Sequence, residues 1–154
     1  MSSNANPDTG VAPWRRVESA LMATARGIRE AYDHHLGEWG VNLTQAGILA
    51  YLADFGPVSQ TNIAAHLGRG RAATGVTIDG LDARGLIERR PDPEDRRVWL
   101  IHLTDQGRAL IKPITQVDEL LREELRAGMS RADRAALVEL LQRVQSNLKG
   151  VTPS

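Results

Sequence analysis

Apolar residues recur along the first part of the chain at helical spacing. Val17, Leu21, Ala25, Ile28, Tyr32, Leu36 and Trp39 follow at steps of four, four, three, four, four and three. They form one stripe on a long helix that starts near Trp14 and ends before Gly40. A second helix is expected from Thr44, as N-cap, through Ile48, Leu49 and Leu52 to Phe55, where Gly56-Pro57 stops it. Ser59 can cap a third, short helix carrying Ile63, Ala64 and Leu67, after which Gly68 turns the chain. A fourth helix covers about Gly70 to Arg84, with Val76, Ile78 and Leu81 facing inward and Gly85 at its exit.

The pattern then changes. Between Leu86 and Leu103, two short apolar-rich runs flank a turn holding Pro91, Pro93, several acids and Arg96-Arg97. That is the signal of a β-hairpin with a long, charged tip. Thr104 caps a fifth helix with the stripe Leu110, Ile114, Val117, Leu121 and Leu125, and Pro113 inside it predicts a kink. Ser130 with Asp133 has the form of a capping box. It opens a sixth helix carrying Leu137, Leu140, Leu141, Val144 and Leu148.

A basic hairpin directly after a helix pair is the outline of a winged helix-turn-helix. The expected fold is therefore mainly α with a small β-hairpin wing. Residues 1–13 read as a disordered polar tail, 14–43 as an N-terminal helix, 44–103 as the winged helix-turn-helix and 104–150 as C-terminal helices. A core of three helices and a hairpin cannot cover three further apolar stripes. The terminal helices are expected to form a dimerisation region with a second copy of the chain, the alternative being that they fold back on their own domain.

Composition narrows the function classes. The 154 residues are 42% hydrophobic, enough for one globular domain of ordinary size. Cys is absent, which removes disulfides, thiolate metal ligands and thiol switches within the chain. No apolar run is long enough to span a membrane and residues 1–13 have no signal-peptide core, so a cytoplasmic protein is expected. The formal net charge is +0, so any attraction to nucleic acid must come from a local basic face. No nucleophile motif, metal-ligand spacing or phosphate-cradling glycine motif occurs, and no enzyme activity, cofactor or metal site is expected.

The start of the fourth helix offers such a face. A recognition helix enters the major groove by its N-terminal portion. That portion here holds Arg69, Arg71, Ala72, Thr74 and Gly75, with Thr77 one turn on, and no acid lies between Leu67 and Asp79. Arg can read guanine O6 and N7, and small residues let the helix approach closely. The bland alternative is solvated surface charge. Ser59, Gln60 and Thr61 at the third helix's start could hold a phosphate through backbone N–H groups. Arg89 and Arg90 could touch phosphates or only brace the strand.

The residue order resembles the MarR family of bacterial transcriptional regulators. The matching segments are Ile63-Ala64-Ala65-His66-Leu67, Leu81-Asp82-Ala83-Arg84-Gly85-Leu86-Ile87-Glu88-Arg89, Asp92-Pro93-Glu94-Asp95-Arg96-Arg97 and Leu103-Thr104-Asp105-Gln106-Gly107. The chain departs from the family pattern in its crowd of glycines, Gly68, Gly70, Gly75 and Gly80, where Ser or Thr more often caps the helix. The resemblance implies a homodimer binding a pseudo-palindromic double-stranded DNA operator, commonly under control of a small aromatic or phenolic molecule. It implies that Arg97 enters the minor groove, with Arg96 beside it. Asp95 would then hold Arg97 by a charge-assisted hydrogen bond. Tyr32, His35, Trp39 and Tyr51 lie near the expected junction of the two regions, and an anionic or phenolic effector is expected among them. The competing function is a winged-helix module for protein contacts without DNA binding, which acids or apolar residues on the fourth helix's first turn would have favoured.

Overall fold

A computed structural model describes the backbone of residues 13–151 and the side chains of 16–151. The tail expected over residues 1–13, apart from Pro13, and the Trp14 side chain lie outside the described residues. The elements in order are α1 (Pro13–Leu36), a 3-10 turn (Gly37–Trp39), α2 (Leu43–Phe55), β1 (Val58–Ser59), α3 (Gln60–Leu67) and α4 (Arg71–Ala83). Next come β2 (Ile87–Pro91), β3 (Trp99–Leu103), α5 (Asp105–Ala109), α6 (Ile111–Leu125) and α7 (Arg131–Leu148). The chain divides into two compact units, one up to Asp118 and one from Glu119. The fold is mainly helical with a small antiparallel sheet.

The sheet has three strands in the order β1-β3-β2. Ile101 of β3 pairs with Val58 on one side and Arg89 on the other. The hairpin was legible as a sequence pattern, whereas β1, two residues long, gave no periodic signal. Ile48, Leu49, Ile63, Ile78, Leu81, Ile87 and Ile101 are the fully buried centre of the first unit. Helices α2, α3 and α4 and the root of the wing therefore share one core.

The register of α4 differs from the expected one. Its inward stripe is Thr74, Ile78 and Leu81, and Val76 is 73% exposed. Thr74 can take a buried position because its hydroxyl donates to the Gly70 carbonyl at 3.0 Å, leaving no orphaned polar atom. Gly70 is the N-cap and supplies no side-chain cap, in keeping with the glycine-rich approach to this helix.

Local capping explains most element boundaries. Ser59, Thr104 and Ser130 are N-caps, each accepting from a backbone N–H three residues on. The α2 cap is Asn42 rather than Thr44. Asn42 Oδ1 accepts from Gln45 N at 2.9 Å, and Gln45 Oε1 accepts from Asn42 N at 3.0 Å, a reciprocal box that Thr44 cannot form. At the start of α7, hydrogen bonds from Ser130, the hydroxyl first and the backbone N–H second, hold the Asp133 carboxyl below its ordinary value. The kink expected at Pro113 is a break at Leu110 between α5 and α6. This puts Pro113 in the first turn of α6, where its missing N–H has no intrahelical partner to lose.

Candidate nucleic-acid interface and ligand cavity

Helices α3 and α4 form the helix-turn-helix. Gly68, at φ 60°, ends α3 in the left-handed conformation that favours glycine. Arg69 follows and α4 begins at Arg71. Arg69, Arg71, Ala72, Ala73 and Val76 are exposed, while Gly75 and Thr77 are half-buried. The Gln60 side chain lies over Gly75, 3.0 Å from where a Cβ would be, so α3 sits close against α4. Among the described residues no carboxylate pairs with Arg69 or Arg71. The exposed front of α4 is thus basic at its start, then small and apolar.

Two expected DNA contacts are revised by this geometry. Thr74 is fully buried and its hydroxyl is spent inside α4, so it cannot reach a base. Arg89 is a brace: its guanidinium spans Asp79 and Asp82 of α4, the latter at 2.8 Å. With two carboxylates beside it, Arg89 offers little net charge to a phosphate. It ties the wing strand β2 to α4 by a forked contact that Arg geometry suits. Arg90 pairs with Glu88 on its own strand.

The wing tip is shaped by its acids. Asp92 Oδ1 accepts from Glu94 N at 2.8 Å, and Asp95 Oδ1 accepts from Arg97 N at 3.0 Å. The Asp95 carbonyl also accepts from Val98 N at 2.9 Å, closing the turn. Asp95 therefore holds Arg97 through its backbone, not through the guanidinium. Arg96 and Arg97 are exposed, and no carboxylate among the described residues pairs with them. Ser59 takes the Asn62 N–H as a cap at 3.2 Å; beside it, Thr61 is exposed and Gln60 half-buried.

The first unit also holds a cavity of about 340 Å³ between α1, α2 and the first half of α6. Leu36, Leu43, Ala46, Ala50, Ile111 and Ile114 make its apolar walls, and Tyr32, Asp54, Thr115 and Asp118 its polar side chains. Tyr32 Oη donates to Asp118 Oδ1 at 2.8 Å. Of the four residues expected to form a ligand site, Tyr32 alone lines this cavity. His35 and Trp39 do not line it. Tyr51 faces α3, stacked on His66 with ring centroids 4.0 Å apart and beside Phe55 at 4.8 Å.

The geometry agrees with comparisons across known proteins. A MarR family model matches residues 39–98, from the 3-10 turn through the wing tip. The transcriptional repressor NicR of Pseudomonas putida is 30% identical over 128 residues, 76% of this chain and 78% of that protein. The chain belongs to the MarR family. An uncharacterised HTH-type transcriptional regulator of Bacillus subtilis, YdgJ, is 29% identical over 112 residues, covering 73% of this chain and 68% of that protein. A solved structure of BpsR from Bordetella bronchiseptica, described as regulated in its DNA binding by 6-hydroxynicotinic acid, superposes with a TM-score of 0.75. It is 26% identical and covers 84% of this chain and 98% of that one.

As a MarR-family member the chain is a DNA-binding transcriptional regulator, a family of regulators and not of enzymes. Among the described residues no helix is long and apolar enough to cross a membrane. The structure brings Arg69, Arg71, Ala72, Gly75 and Thr77 onto or beside one front, and Asp95, Arg96 and Arg97 onto one wing tip. Sequence reasoning missed Val76 on that front because apolar character alone assigned it to the core. It missed Asp54 and Asp118 because only the packing of α1, α2 and α6 brings them to one cavity.

Proposed function

We propose that this MarR-family regulator is a cytoplasmic homodimeric repressor of a pseudo-palindromic operator. Each α4 reads one half-site in the major groove, and each wing places Arg97, with Arg96 beside it, in the adjoining minor groove. Arg69 and Arg71 read guanine, Ala72 and Val76 pack on thymine methyls, and Gly75 and Thr77 let the helix approach. Gln60 and Thr61, at the N-terminus of α3, supply backbone N–H groups to a phosphate, with Ser59 ordering that turn. The observation that carries the reading is the exposed, acid-free start of α4 beside a wing tip with two arginines free of carboxylate partners.

Self-association is supported by the exposed apolar side chains of the terminal helices. Leu137, Val138, Leu140 and Leu148 of α7 and Val17 and Met22 of α1 all face solvent in the single chain. Control by a small aromatic molecule is supported by the α1–α2–α6 cavity and by the effector named for the BpsR relative. Such a molecule lowers DNA affinity only by its differential affinity for the two arrangements of the protein, typically about 1–3 kcal/mol.

The test is to select DNA with the purified protein and sequence it. Enriched sites should show two inverted half-sites with centres about 10 bp apart. Arg71→Ala or Arg69→Ala should relax preference at one base pair per half-site, at a cost of about 1–3 kcal/mol. Absence of any enriched site, or unchanged preference in both variants, would remove this reading.

A further inference from the structure

Gly75 leaves a notch in α4, and the side chain of Gln60 from α3 fills it. We infer that the Gln60 side-chain amide, seated over Gly75, reads an adenine in each half-site. This inference rests on the proposed reading of the major groove by α4 and adds to it a specificity-determining residue from the preceding helix.

Helix geometry places the amide. Gly75 follows Ala72 by three residues and Arg71 by four, so it continues their face by one turn. Arg71 and Ala72 are exposed, while Gly75 and Gln60 are half-buried. Gln60 is the first residue of α3, and its Nε2 stands 3.0 Å from the point where a Cβ at Gly75 would be. A side chain at position 75 would compete with the amide for that space. The hydrogen bonds of α4 leave few other groups for a base. Thr74 and Thr77 donate their hydroxyl protons inside the helix, to the Gly70 carbonyl at 3.0 Å and the Ala73 carbonyl at 3.2 Å. Ala72 and Val76 present only methyl groups. From Arg69 to Thr77 the remaining donors are the two arginines, and the Gln60 amide joins them from α3. Among the described residues that amide makes no hydrogen bond. It carries a donor and an acceptor side by side. Adenine presents the complement in the major groove, N7 as acceptor and N6 as donor, whereas guanine presents two acceptors and suits Arg.

The experiment is selection and sequencing of DNA bound by the full-length protein, followed by affinities for the enriched site and its single-base variants. Gln60→Ala should relax a preference for adenine at one position per half-site, lowering discrimination there by about fivefold or more. Positions that respond to Arg69→Ala or Arg71→Ala should keep their preference. Gln60→Glu keeps the shape and removes the donor, so preference at the same position should move from adenine to cytosine, whose N4 donates. Gly75→Ala displaces the far end of a flexible side chain and no backbone, so the variant should fold and blur the same position. Added to Gln60→Ala, it should change that position no further, because both act through one contact. A melting curve checks the fold of each variant. Equal weakening at every base in both Gln60 variants would assign the amide to a phosphate and overturn the inference. Unchanged base preference in both overturns it as well, and an effect of Arg71→Ala in the same assay would then leave the reading by α4 standing. A wild-type protein that enriches no site removes both.

Discussion

The Leu86 carbonyl oxygen occupies the space next to Gly107 where a side chain would begin. A Cβ at Gly107 would lie 2.0 Å from that oxygen and 2.7 Å from Leu103 Cδ1. The same carbonyl accepts from Thr104 N at 3.2 Å, and Thr104 Oγ1 donates to the Gly85 carbonyl at 2.6 Å. The glycine of the Leu-Thr-x-x-Gly segment is thus there for close approach, because its backbone φ is not one that requires glycine. Gly107→Ala must push a carbonyl held by a hydrogen bond, and should destabilise the protein by about 3 kcal/mol or more. Urea denaturation followed by circular dichroism reads this directly, and an unchanged midpoint would show that the loop yields.

Arg89 should resist conservative replacement. Its side chain is 29% exposed, less than those of its partners Asp79 and Asp82 at 69% and 39%, so each ion pair alone contributes modestly. The forked contact to two carboxylates is what Lys cannot reproduce. Arg89→Lys should lower stability by about 1 kcal/mol and weaken operator binding, because the wing is no longer fixed to α4. If Arg89 instead served as a phosphate contact, Lys would preserve both binding and its salt dependence. Measuring operator affinity across a salt series separates the two.

Asp95→Ala gives a prediction whose sign is informative. Removing a negative charge close to DNA would tighten binding if simple electrostatics ruled. The Asp95 carboxylate instead holds Arg97 N at 3.0 Å and sets the wing turn. Asp95→Ala should therefore weaken operator binding, by roughly the 1–3 kcal/mol of a charged hydrogen bond. Arg97→Ala should weaken it too, and make the log-affinity versus log-salt slope shallower by about one for each phosphate charge no longer neutralised. Tighter binding by Asp95→Ala at every salt concentration would end the orienting role.

The exposed leucines of α7 predict the assembly. Leu137 and Leu140 are 45% and 56% exposed in the single chain. Replacing both with Glu should convert a dimer at micromolar concentration into monomer or insoluble protein, with loss of operator binding. Analytical ultracentrifugation decides it. A wild-type chain sedimenting as a stable monomer would rule out the dimeric reading.

What could be read in the sequence was local in origin. Ser59, Thr104 and Ser130 announced helix starts because a cap needs only the next three residues. Gly56 and Gly85 announced helix ends by the same logic. Hydrophobicity alone failed where a polar group could satisfy itself: Thr74 entered the core by bonding Gly70, which left Val76 outside. Partners far apart in sequence were invisible, among them Tyr32 with Asp118 and Val58 with Ile101. Aromatic content did not point to the cavity, since Tyr51 packs on His66 across α2 and α3.

The break at Leu110 has a mechanical consequence. Thr104 binds α5 to Gly85 and Leu86 just past the end of α4, while Ile111 and Ile114, just past the break, wall the cavity. The five residues of α5 therefore join Thr104 at one end to the wall of the cavity at the other. Under the proposed control, a shift of the first turn of α6 would be carried to the end of α4 through these five residues. Sensitivity to such an effector would then depend on the stiffness of one short helix, and glycine at position 107 lets that helix sit close against the Leu86 carbonyl.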